Sequence, residues 1–179
     1  FTITTTDSSG ATIDTLATVP AVRITGVISS ATITPASLVA GASGNAVLAF
    51  TTASELPANG KVVVTFPAGF DLTNTPAASS TSNIDGTFDT SVAGQVVTIT
   101  RQNDGTDKAA GPITNLTLSN IKNPGVSGNT GTFTIKTTLN DDTITIDTNA
   151  TVPSVSITPG AISSATITPA SLVAGASGN

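Results

Sequence analysis

The sequence predicts an all-β protein built as an antiparallel β-sandwich, and three observations carry that expectation. Apolar positions mostly alternate with Thr, Ser or other residues, as at Val97 and Ile99 or Phe133 and Ile135, which is the two-residue period of a strand with one buried face. The good helix formers Glu, Lys, Arg and Gln are scarce, while Val, Ile and Thr, which lose rotamer freedom in a helix, are abundant. Turn residues recur at regular spacing between the alternating stretches, as many short antiparallel strands require.

In chain order, the expected strands are Ala31 to Thr34, Ala46 to Ala53, Lys61 to Phe66, Thr87 to Val92, Gln95 to Arg101, Ile113 to Asn120, Thr132 to Thr138, Thr143 to Thr148 and Ser154 to Thr158. Between them stand PANG at Pro57, PAG at Pro67, NDG at Asn103, NPG at Asn123 and NDD at Asn140. These supply fixed φ, local side-chain hydrogen bonds or positive φ where the chain reverses. In Ala46 to Ala53 the period alone leaves Val47 and Ala49 competing with Leu48 and Phe50. The larger pair is expected inward. Val62 with Val64 and Phe66, Val97 with Ile99, Leu116 with Leu118, and Phe133 with Ile135 extend the same face.

The chain also repeats itself. ISSATITPASLVAGASGN at Ile28 to Asn45 returns letter for letter at Ile162 to Asn179. Further back, FTITTT at Phe1 answers FTIKTT at Phe133, IDT at Ile13 answers IDT at Ile146, and TVPAVRIT at Thr18 answers TVPSVSIT at Thr151. A period of about 133 residues is too long for a solenoid unit and suits a whole domain with its own core. The expectation is a window from a tandem array: residues 1–25 as the end of a preceding repeat, 26–159 as one complete repeat, and 160–179 as the start of the next.

Composition narrows the function. Cys, His, Met, Trp and Tyr are all absent, which removes imidazole and thiolate chemistry and leaves catalysis few candidates. A net charge of −5 carries no basic footprint for nucleic acid. With 9% charged residues and a mean hydropathy of +0.27, the chain lacks the signature of disorder. No apolar run approaches the roughly 20 residues that span a bilayer. Absence of the readily oxidised Met and Cys suits long exposure outside a cell. Phe1 opens inside a strand-like pattern, so no targeting signal is read, and the mature protein is expected to extend in both directions.

ATITPASLVAGASGNAVLAFTTASELPANGKVVVTFPAGF, followed by ITNLTLSNIKNPG and GTFTIKTTLND, resembles the immunoglobulin-like modules strung along large extracellular surface proteins, adhesins and filaments. The resemblance implies an Ig-like sandwich and a role in spacing, display or assembly. Without the Cys pair and core Trp of antibody domains, it implies the broader class only.

Each candidate site stands beside a plainer reading. Asp104 with Asp107, and Asp141 with Asp142, are candidate calcium ligands in Asx-rich turns. There is no twelve-residue loop closed by a bidentate Glu, and hydrated turn residues are favoured over ligands. The other junction has Asp7 to Gly10 where this one has Leu139 to Asp142. Glu55, the only glutamate, has no identifiable partner for acid and base chemistry. Lys61, Lys122 or Lys136 could enter an isopeptide with Asn, and ordinary solvated lysine is the favoured reading. Asn115 and Asn149 satisfy the N-glycosylation sequon, which arises easily by chance in so Thr-rich a chain. The Thr-X-Thr segments resemble ice-binding rows but lack the short solenoid period such rows need.

The expectation is therefore a non-enzymatic, extracellular or cell-surface structural module, without cofactor, that builds a fibre, stalk or surface layer. Its partners are copies of itself or adjacent repeats, head to tail, with glycans as further candidates and no nucleic acid. The alternative is an adhesin repeat that binds glycan or protein through loops at Thr73 to Asp85 and Gln102 to Gly111.

Overall fold

The structure, a computed structural model, describes residues 2–18, 24–74, 76–81 and 83–175. Phe1, Val19 to Arg23, Thr75, Ser82 and Ala176 to Asn179, parts of the segments expected as junctions and of one loop expected as adhesive, lie outside the described residues. The described chain is all-β, with no helix and so none long and apolar enough to cross a membrane.

Among the described residues fourteen strands run in order: β1 (Ile3–Thr6), β2 (Thr12–Leu16), β3 (Gly26–Val27), β4 (Ser29–Pro35), β5 (Ser43–Thr52), β6 (Lys61–Thr65), β7 (Ala78–Ser80), β8 (Phe88–Ala93), β9 (Val96–Arg101), β10 (Gly111–Lys122), β11 (Gly128–Asn129), β12 (Phe133–Thr138), β13 (Thr145–Val152) and β14 (Ser156–Ile157). One sheet has the order β4-β5-β10-β7 and a second β3-β13-β12-β6-β9-β8, with small pairs β1-β2 and β11-β14. All pairings are antiparallel except β3 with β13, an isolated bridge between Val39 and Thr158 being also parallel.

Both larger sheets feed one core. Ile33, Leu48, Phe50, Leu116 and Leu118 come from the first, and Val62, Val64, Val97, Ile99, Phe133 and Ile135 from the second. Leu48 and Phe50 are the inward pair of β5, and every inward set expected from alternation is buried. Phe66, Phe70 and Phe133 stack with ring centroids 5.4 to 5.6 Å apart, and Phe66 meets both others edge-on.

Several elements differ from the sequence reading. β4 and β10 extend further at both ends, and β13 reaches Val152. Val63, on the outer face of β6, is also buried, because β6 lies mid-sheet with Lys136 and Thr98 directly beside it. Strands β3, β7 and β11 have two or three residues and no alternation of their own to betray them.

The registers give the body two poles. Ser29 lies beside Thr51, Gly111 beside Thr52, and Thr138 beside Lys61 at one end. Pro35 lies beside Ala46, Lys122 beside Ser43, and Phe133 beside Val152 at the other. The chain enters the body at Gly26, on the first pole, and leaves at Thr158, on the second.

Candidate assembly site at the chain ends

The two copies of ISSATITPASLVAGASGN hold different structures. In the first copy, β4 pairs with β5, placing Ile33 beside Leu48, Thr34 beside Val47 and Pro35 beside Ala46. In the second copy, residues 162–175 form no strand. Ile33 is 3% exposed and its counterpart Ile167 96%; Ile28 is 0% exposed and Ile162 87%. The chemistry of the segments is identical, so the difference lies in the partner: the second copy has no β5 beside it.

What is local survives in both copies. Ser37 Oγ accepts from Val39 N at 3.2 Å, and Ser171 Oγ accepts from Val173 N at 3.1 Å. Gly41 and Gly175 both have positive φ, at 70° and 79°. Ser30 has φ 50° where the β4-β5 register shifts, whereas Ser164 keeps an ordinary φ. That left-handed residue belongs to the seated strand alone.

The N-terminal hairpin shows the same division. β1 pairs with β2 so that Thr5 faces Asp14 and Ile3 faces Leu16; β12 pairs with β13 so that Thr137 faces Asp147 and Ile135 faces Asn149. Asp14 N donates to Thr5 Oγ1 at 3.1 Å, and Asp147 N to Thr137 Oγ1 at 3.0 Å. Yet β1 is exposed throughout, whereas β12, with β6 on its other side, is largely buried.

The first pole is held by a buried carboxylate. Asp147 accepts from Ser54 N at 2.9 Å and Ser54 Oγ at 2.8 Å. Gly26 lies against it, leaving no room for a Cβ. Ile28 N donates to Thr148 O at 3.0 Å, and Asn149 Nδ2 donates to Ile28 O at 3.0 Å. At the second pole, Thr158 N donates to Leu38 O at 2.7 Å, and Ala40 N to Thr158 O at 2.8 Å.

The residues singled out from sequence fall as follows. Asp104 accepts from Thr87 N and Oγ1, and Asp107 from Ala58 N at 2.7 Å. Asp141 accepts from Thr143 N and Oγ1 within its own turn, and Asp142 pairs with Lys61. Among the described residues no three or more Asp, Glu, His or Cys gather to hold a metal ion. Glu55 is exposed on the β5-β6 loop, Lys136 is exposed on β12, and Lys122 lies 3.8 Å from Asp71. Asn115 is exposed at a register shift in β10. Asn149 is half-buried with its amide committed, because its Oδ1 also accepts from Thr151 N.

Sequence gave no sign of Arg101. It is 2% exposed; Nη1 donates to Leu56 O and Pro57 O, and Nη2 to Asp85 Oδ1 and Thr106 O. It thereby braces the loops that follow β5, precede β8 and follow β9, including parts of both loops read as adhesive. Burial lowers the Arg101 pKa, opposed by the nearby carboxylates. Asp85 is held below its ordinary value chiefly by the Thr106 amide, and Asp104 by the Thr87 hydroxyl.

No family model matches the chain, and neither the curated proteins nor the solved structures contain a match to it.

Proposed function

We propose that residues 26–159 form one complete Ig-like β-sandwich module of a tandem array, flanked by the end of a preceding module and the start of a following one. Its function is structural and non-enzymatic: extending or spacing an extracellular fibre, stalk or surface layer. The observation that supports this best is the 18-residue duplication, whose first copy seats β4 on β5 and whose second forms no strand over residues 162–175. The matching register of β1-β2 and β12-β13 supports it from the other end. Entrance and exit at opposite poles suit a module threaded lengthwise.

The unpaired segment needs a new body. Thr158 is pinned beside Val39, so Ile162 lies only four residues from the second pole and reaches at most about 14 Å. The Ile28 seat lies at the first pole, roughly 20 Å or more along β4, by the rise of a strand. The second copy therefore cannot replace the first on its own body.

Appending residues 46–158 after Asn179 supplies the missing β5. The amides of Ile162 to Thr168, open to hydrogen exchange in the present chain, should then become as protected as those of Ile28 to Thr34. Continued fast exchange beside a folded added body would refute the repeat reading. Retention of a dispersed monomer on a glycan array would favour the adhesin alternative.

A further inference from the structure

We propose that successive bodies meet end to end through small apolar pole faces, with Leu38, Val39 and Val126 of one body against Ala161, which stands in the place of Val27, and the counterpart of Ile144 in the next. The proposal rests on the repeat reading and adds the interface between neighbours.

Chain length requires the approach. Thr158 is fixed to its own body through Leu38 and Ala40. Gly160 stands where Gly26 stands in the first copy, two positions before the shared Ile, and Gly26 is fixed to its body beside Asp147. Only Pro159 separates the last anchored residue of one body from the first of the next. Two peptide steps span at most about 7 Å, and the proline ring removes one of the free dihedrals. At the other junction Thr25 and Gly26 are adjacent, and their Cα atoms are about 3.8 Å apart. Two bodies joined so closely touch around the joint.

The surface points to the same faces independently. Among the described residues of 26–158, the exposed large hydrophobics are Val27, Leu38, Val39, Val126 and Ile144. Val27 belongs to β3 and Ile144 to the β12-β13 turn, both toward the first pole. Leu38 and Val39 flank the exit, and Val126 lies in the loop that follows β10 at the second pole. The sides of the body carry none of them. An apolar residue left at each end, beside the chain's entrance or exit, is what a neighbouring end would cover. The faces are small, and the tether holds them together by effective concentration.

The test uses the chain extended by residues 46–158 after Asn179. The natural sequence has no cysteine, so Ser91→Cys and the same change in the added body give two unique sites for spin labels. The expected result is one narrow distance distribution, set by a body about 40 Å long from the twelve residues of β10. Inserting six Gly and Ser residues after Thr158 should broaden it several-fold. Leu38→Ser with Val126→Ser should broaden it partly, while both bodies keep their unfolding transitions. Equal widths with and without the insert, both bodies being folded, would overturn the interface and leave the repeat reading standing. An added body that never folds would overturn both.

Discussion

Gly26 and Asp147 occupy space that admits no side chain between them: a Cβ on Gly26 would collide with Oδ1 and stand 3.0 Å from the carboxyl carbon of Asp147 and from Ser54 Oγ. Gly160, its counterpart, meets only Val39 Cγ1 at 3.7 Å. Gly26→Ala should therefore destabilise the body by about 1–3 kcal/mol, the usual cost of overpacking. Gly160→Ala should stay within about 0.5 kcal/mol, as exposed substitutions do. Denaturant titration of the two variants checks the pair, and equal effects would contradict it.

Ile33 and Ile167 offer a second matched pair. Ile33→Ala removes a buried side chain from the core and should cost about 2–5 kcal/mol. Ile167→Ala changes an exposed residue and should shift stability by no more than about 0.5 kcal/mol. Thermal unfolding followed by circular dichroism distinguishes them.

Arg101 makes its contacts through a planar fork that lysine cannot reproduce. Arg101→Lys should take the guanidinium donor from Thr106 O and leave Leu56 O and Pro57 O with only the amides of Lys108 and Gly60, at a cost of about 2–3 kcal/mol. Hydrogen exchange should quicken first at Thr106 and Ala58, whose amides are held by Asp85 and Asp107.

Acid should weaken the body in a defined direction. Asp71, Asp85, Asp104 and Asp141 each lie below the ordinary value of 3.8, held there mainly by hydrogen bonds from Thr73, Thr106, Thr87 and Thr143. A carboxylate with a depressed folded value contributes stability that is complete above 3.8 and is lost as pH falls through the folded value. The unfolding midpoint should therefore be insensitive to these groups above that pH and fall below it. Asp104→Asn should flatten the acid limb. Asp7 is also depressed, chiefly by Ser9, but it sits in the N-terminal hairpin and should not move the body's midpoint.

Alternation disclosed the inward faces of β5, β6, β9, β10 and β12, because burying one face of a sheet imposes a two-residue period on the sequence. It could not disclose β3, whose two residues are a strand only by virtue of Asp147 and Thr148 more than a hundred residues away. Arg101 looked like an ordinary strand residue, since its burial depends on carbonyls from three loops. Asn149 looked like a sequon, and its bond to Ile28 O became visible only with the fold. The duplicated segment makes the same division plain. Its Ser turn and its positive-φ glycine are written locally, whereas its strand depends on β5.

The parallel pairing of β3 with β13 has a mechanical consequence. A pull outward at Gly26 and at Thr158 slides β3 along β13 and drags Thr158 past Val39. The bonds from Ile28 to Thr148 and from Thr158 to Leu38 lie across that pull, so they are loaded in shear together instead of peeling apart in turn. Tension along the chain is thus resisted by several hydrogen bonds at once at the two places where the chain enters and leaves the body.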